Sequence, residues 1–339
     1  MKPFRSVERD ESSRSRPHDA LHGADRWSEL RSDDANAFEA LPPAAEPTDT
    51  PVRMSQLARD LGQLAKLRVN VLVGVTAAIG FLLALAPGTL SFWLFVNAVS
   101  GTFLLGCAAS VLNQVFERRY DALMRRTERR PVAAGRLSPG FGLGFAAFAL
   151  VAGTLQLAMF VNLLTTILGL LTVLTYIAFY TPLKRMSPIS LPVGAIAGAL
   201  PPVMGWTAAA GTIGWEAVVL FAILFLWQIP HFHAIAWLYR RDYADGGFRL
   251  LAVVKPDGRA LSIEVVATAF LLTIVSVIPI FLDGVAAWLP FAVLPLAVAM
   301  FGVSVVFATA RSEANARRLL FTSLAYLPAI LVSWVCAAI

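Results

Sequence analysis

From about residue 69 to its end, this 339-residue chain repeats one pattern: a long run of apolar positions, then a short polar junction. Each run is roughly 18 to 25 residues long, enough for a helix to cross ~30 Å of hydrocarbon. The pattern predicts nine such spans, with cores at 69–86, 91–112, 139–159, 163–182, 190–209, 215–237, 261–282, 285–309 and 317–338. The expected fold class is therefore all-α and polytopic, with the lipid bilayer as solvent.

Composition sharpens this. At 57% hydrophobic and 15% charged residues, the chain does not suit an ordinary soluble enzyme. From residue 69 onward basic residues fall only at alternate junctions, the others all lying before span one: Arg118, Arg119, Arg125, Arg126, Arg129, Arg130 and Arg136 after span two, Lys184 and Arg185 after span four. Arg240, Arg241, Arg249, Lys255 and Arg259 follow span six, and Arg311, Arg317 and Arg318 are grouped around the start of span nine. Short cytoplasmic loops retain Lys and Arg, so the N-terminus is expected inside and the C-terminus outside. The net charge of +6 then reports topology and attraction to anionic groups at the inner face, not a nucleic-acid groove. No nucleic-acid partner is expected.

Residues 1–52 are a different material, with mixed charges, Ser, Pro and Ala, and are expected to form a disordered cytoplasmic tail preceding a nine-helix domain at 53–339. Glu8, Asp10, Glu11, Asp19, Asp25, Asp33 and Asp34 make the tail too acidic for an organelle-targeting segment. Cys107 and Cys336 sit in apolar spans and are read as packing residues; no CxxCH motif is present.

Candidate chemistry concentrates at the basic junctions. In Asn113-Gln-Val-Phe-Glu117-Arg-Arg-Tyr-Asp121, an amide and two carboxylates recur at i, i+4 and i+8 on one helical face. Aligned carboxylates repel unless cations compensate, and oxygen ligands suit Mg²⁺ bridging to phosphate. Alone, this spacing also suits a solvated helix end. The adjoining run that contains Arg126 and Arg130 and closes at Pro131 supplies donors for a metal-diphosphate site. After span six, Asp242 and Asp245 form a second acidic element, four spans from the first, which hints at a diverged internal repeat. Between them Tyr180-Thr-Pro-Leu-Lys184-Arg185 offers cations for a departing diphosphate, or simply two positive-inside residues. Span six ends in Trp227-Gln-Ile-Pro230-His231-Phe-His233, where the i, i+2 spacing makes the histidines a poor chelating pair. A secondary transporter would set its ionisable groups near mid-membrane, whereas these acids lie at one surface.

The segments Asn113 to Gly135, YTPLKR, GALPPVMGW, WQIPHFHAIA and RDYADGG resemble the UbiA-type intramembrane prenyltransferases, in particular the haem-directed branch, the protohaem IX farnesyltransferases or haem O synthases. The resemblance covers essentially everything after the tail. It implies nine transmembrane helices around a central chamber, opening towards the cytoplasmic face of a bacterial inner membrane. It implies farnesyl diphosphate and haem B as substrates, Mg²⁺ as cofactor, and haem A synthase as a candidate recipient of product. By the same resemblance Asn113, Glu117, Asp121 and Asp242 are the catalytic, metal-holding set, and Arg126, Arg130, Lys184, Arg185 and Tyr180 bind the diphosphate substrate. His231 is the preferred haem contact, the alternative being a histidine hydrogen-bonded between helices. Phe116, Tyr120, Tyr176 and Tyr180 are candidates to face a transient allylic cation, or to anchor the membrane interface.

Overall fold

The computed structural model describes residues 54–85, 89–282 and 285–338; the predicted tail lies outside the described residues. Helix α1 (Met54–Leu64) meets α2 (Leu67–Leu83) at a 51° bend. Then come α3 (Phe92–Asp121), α4 (Pro139–Phe160), α5 (Leu163–Met186), α6 (Ser190–Ala210) and α7 (Trp215–Leu238). Two short helices, α8 (Arg240–Asp245) and α9 (Leu251–Val254), lead to α10 (Arg259–Val277), α11 (Leu289–Thr309) and α12 (Glu313–Ala338). Among the described residues, eight helices are long and apolar enough to span a membrane, or nine with the bent α1–α2 pair counted as one. Every predicted span thus has its helix, and the chain is an integral membrane protein.

Local chemistry sets several helix starts. Ser91, Ser138 and Asn162 each accept a hydrogen bond from the backbone N–H three residues on, and Pro139 occupies a first-turn position where no donor is needed. The apolar run predicted span two to end near residue 112, but α3 stays helical to Asp121. Its last turns carry Asn113, Gln114, Glu117 and Asp121, all buried among protein groups rather than lipid. Hydropathy falls there while the helix continues.

The helices pack as two sets of four: α3 to α6, and α7 with α10, α11 and α12. Contacts between α6 and α7 join the sets, and α2 lies against α3, α6 and α12. The α2–α6 crossing is backbone on backbone. A Cβ at Gly205 would overlap the carbonyl oxygen of Ala77, and one at Gly80 would overlap that of Pro202. Small residues permit such approach between membrane helices. Gly205→Ala is expected to cost about 1–3 kcal/mol of stability, as overpacking does. Thermal unfolding in detergent checks this, with Gly144→Ala, whose Cβ would meet nothing within 4 Å, remaining at the wild-type midpoint.

Helix α1 is pinned to the loop after α3. Asp60, buried, accepts from Arg136 Nε at 3.0 Å and Nη2 at 2.9 Å, and Arg136 Nη2 also donates to Arg129 O at 3.0 Å. Gln114 Nε2 donates to Leu64 O at 2.6 Å, closing the end of α1 onto α3. The ends of α3, α5 and α7 converge at this same end of the bundle, where Lys184 meets Glu117 and Arg126 meets Asp242.

Candidate active site

Asn113, Glu117 and Asp121 stand in one row on α3, only 1%, 4% and 1% exposed. Such burial of two carboxylates is tolerable only with close compensation, and each has its own cation. Arg130 Nη1 donates to both Asp121 carboxylate oxygens at 2.7 Å. Lys184 Nζ donates to Glu117 Oε2 at 2.9 Å and pairs with Oε1 at 2.6 Å. Lys66 Nζ donates to Asn113 Oδ1 at 3.1 Å. Arg130 and Lys184 balance the two carboxylates, while burial, with Arg130 and Lys184 nearby, pulls the Lys66 ammonium down to about 7, so Lys66 adds positive charge for an anion when it is protonated.

Lys66 was not singled out by the sequence, where it reads as one more positive-inside residue ahead of the first run. It occupies the break between α1 and α2 with φ 46° and ψ 50°, the left-handed region that costs a non-glycine residue about 1–2 kcal/mol. The surroundings hold it there, and backbone strain of this kind gathers at functional sites.

Other predicted residues form a second layer. Arg185 hydrogen-bonds the Tyr120 hydroxyl and lies 4.4 Å over its ring. Lys184 lies 4.7 Å over Tyr180 and 5.3 Å over Phe248. Tyr176 and Tyr180 have ring centroids 5.0 Å apart on the site side of α5. Phe116, in contrast, is half exposed on the outside of α3, away from its buried row. Its fitness to face a cation in the site does not survive this placement, because side chains at 113, 117 and 121 share a face that position 116 does not.

The second acidic element is not gathered into the first. Asp242 Oδ2 accepts from the Arg126 backbone N–H at 3.3 Å, and Arg126 Nη2 donates to Tyr243 Oη at 2.9 Å. Arg126 also lies 5.3 Å over Tyr239 and 5.2 Å over Tyr243, so the loop after α3 is clasped to α8. Among the described residues no three His, Cys, Asp or Glu side chains stand close enough to hold a metal. The donor set offered is two carboxylates and one amide oxygen. These hard oxygens on one face suit Mg²⁺, which keeps several waters and completes its shell with phosphate oxygens.

His231 is built into the α7–α12 contact. Its Nδ1 lies 2.8 Å from Ser323 Oγ, and its ring stacks on Trp227 at 4.7 Å. This is the interhelical hydrogen bond named as the alternative; with Nδ1 occupied, Nε2 is the ring atom left for a ligand. His233 points elsewhere, its Nε2 3.2 Å from Glu264 on α10, as the i, i+2 spacing requires.

Against known proteins, the UbiA prenyltransferase family matches residues 73–325. The chain belongs to that family. As a UbiA prenyltransferase it is 41% identical over 284 residues to the Protoheme IX farnesyltransferase of Koribacter versatilis (strain Ellin345), across 81% of this chain and 92% of that one. A solved structure concerned with digeranylgeranylglyceryl phosphate synthase in membranes shares its fold at TM-score 0.70 and 15% identity, covering 83% of this chain and 98% of that one. A UbiA homolog from Archaeoglobus fulgidus bound to GPP and Mg²⁺ aligns at TM-score 0.57 and 14% identity, covering 81% and 99%. At such identities the structural likeness establishes the fold of this UbiA prenyltransferase. The α3 row lies within the matched span.

Proposed function

We propose that this chain transfers the farnesyl group of farnesyl diphosphate to a vinyl group of haem B, with addition of water, giving haem O and diphosphate. The observation that carries the reading is the buried Asn113–Glu117–Asp121 row enclosed by Lys66, Arg130 and Lys184. The Protoheme IX farnesyltransferase at 41% identity favours haem as acceptor and farnesyl as donor.

In this reading Asn113, Glu117 and Asp121 would hold Mg²⁺, and Asp242 would join them only if the clasp between the loop after α3 and α8 rearranges. Bound there, Mg²⁺ supplies positive charge to the diphosphate oxygens. Lys66, Arg130 and Lys184 neutralise charge as the allylic C–O bond breaks and its electron pair leaves with diphosphate, while Arg126 and Arg185 line the approach. Tyr176 and Tyr180 present ring faces to the developing cation. A vinyl carbon of haem forms the new C–C bond; water then adds to the resulting cation and loses a proton, leaving a hydroxyethylfarnesyl side chain. His231 meets the haem through Nε2. The spans exclude bulk water until this last addition.

The basic end of the bundle is assigned to the cytoplasmic side of a bacterial inner membrane, on the distribution of Lys and Arg. Haem A synthase in the same membrane would receive the product, which co-purification of the two proteins would reveal. The reaction itself is tested by mass spectrometry of haem after incubating purified protein in lipid with haem B, farnesyl diphosphate and Mg²⁺. A hydroxyethylfarnesyl adduct is expected. Unmodified haem from folded protein, with prenylation of an aromatic quinone precursor instead, would move the assignment to another acceptor.

A further inference from the structure

We infer that Thr181 is a positioning residue: it sets which way the Asn113 amide faces, and so makes Asn113 an oxygen ligand rather than an N–H donor towards the metal site. The inference rests on the proposed metal-diphosphate role of the α3 row.

A side-chain amide presents an oxygen on one side and an NH₂ on the other, and only the oxygen can coordinate a cation. Which side faces the site must therefore be decided by a partner that substrate does not displace. Lys66 holds Oδ1 at 3.1 Å, but it is itself a cation bordering the anion site. On the opposite side Asn113 Nδ2 donates to Thr181 Oγ1 at 3.3 Å. That hydroxyl cannot reverse roles, because its own hydrogen is committed to the Tyr176 carbonyl at 2.9 Å. With its donor spent, Thr181 Oγ1 can only accept, so it demands the NH₂ side of Asn113 and turns Oδ1 towards the site.

The backbone of α5 is shaped for this contact. Residues Thr175–Tyr180 form a π-helical turn in which the Thr181 N–H also reaches the Tyr176 carbonyl, five residues back. Pro182 accounts for the widening: it has no N–H for the Ala178 carbonyl, and its ring crowds that group. Wide turns of this kind recur at functional sites. Beyond the turn, Thr181 and Lys184 share a face three residues apart, so α5 meets α3 in two successive rungs, Thr181 on Asn113 and Lys184 on Glu117. Thr181 is buried and has the place of a residue that orients a ligand without touching the metal.

The test compares Thr181→Val, which keeps the shape and removes the hydroxyl, with Thr181→Ser, which keeps the hydroxyl. Mn²⁺ binding is read from the free-ion electron paramagnetic resonance signal of lipid-reconstituted protein saturated with farnesyl thiodiphosphate, a slowly ionising donor analogue. Thr181→Val is expected to weaken Mn²⁺ binding about tenfold or more, as loss of a ligand's supporting hydrogen bond does. Thr181→Ser should bind within about twofold of wild type, since it retains the donor and acceptor that decide the effect. Equal Mn²⁺ affinity in wild type and Thr181→Val would overturn the inference. So would equal weakening in both variants, because packing of the methyl group would then be the cause. Wild-type protein that binds the analogue but no Mn²⁺ would instead remove the metal site itself, and the inference with it. A Thr181→Val protein that fails to fold while Thr181→Ser behaves as wild type is resolved by Asn113→Asp in the Val background: restored folding and Mn²⁺ binding support the orientation role, and continued misfolding counts against it.

Discussion

Asp121→Ala lowers kcat/KM for farnesyl diphosphate by about a thousandfold or more, equivalent to ~4 kcal/mol of transition-state stabilisation. Two losses combine. The row on α3 loses one of its two carboxylates, and Arg130 loses the partner that receives Nη1 on both oxygens at 2.7 Å. Released, Arg130 no longer has a fixed direction towards the substrate, and the site gains positive charge that it cannot use on a metal. Asp121→Asn preserves the volume and separates the effects: its amide can still accept one bond from Arg130 but offers no charge to a cation. Steady-state kinetics over a Mg²⁺ series check this, with the Asn variant expected to need more Mg²⁺ and the Ala variant expected to stay inactive at any concentration. Near-normal turnover by Asp121→Ala would remove the α3 row from the chemistry.

Lys184→Met lowers kcat by about a hundredfold to a thousandfold, the usual cost of removing one charge-stabilising donor. It also destabilises the protein by about 3–5 kcal/mol, because a buried ion pair has lost one member. The reason is local. Glu117 is 5% exposed in its side chain and has Lys184 on both oxygens, with Asp121 one turn further along the same helix face. Without the lysine, Glu117 is a buried charge beside a like charge. Glu117→Gln added to Lys184→Met should therefore return most of the lost stability, since the amide is neutral, yet leave turnover low. Melting midpoints and kcat for the two single variants and the double variant supply the cycle. Recovery of both stability and turnover in the double variant would show that Lys184 serves the fold alone.

The outcome at each residue shows how far linear reading reached. Asn113, Glu117, Asp121, Arg130 and Lys184 were all nameable from spacing and family resemblance, because one helical face and short loops fix their neighbours. Phe116 was offered as a candidate on proximity in sequence, and the phase of α3 turns it outward. Asp242 was grouped with the α3 acids by the family resemblance and by its place four spans further on, whereas the structure has it accepting from the Arg126 backbone N–H. Lys66 and Thr181 escaped notice, since a lysine before a span and a threonine before a proline are ordinary neighbours in sequence. The π turn had a visible cause in Pro182, but its consequence depends on what lies across from it.

By itself the sequence determined the membrane environment, the succession of apolar spans, the junctions at which basic residues gather and the acidic row, because hydropathy and helical period act over neighbouring residues. Tertiary structure decided which cation faces which acid, which way the Asn113 amide turns and what His231 touches. Those contacts join residues 47, 67, 68 and 92 positions apart, for Lys66–Asn113, Glu117–Lys184, Asn113–Thr181 and His231–Ser323. Only the packing of α2, α3, α5, α7 and α12 brings such partners within hydrogen-bonding range, and no local period encodes that distance.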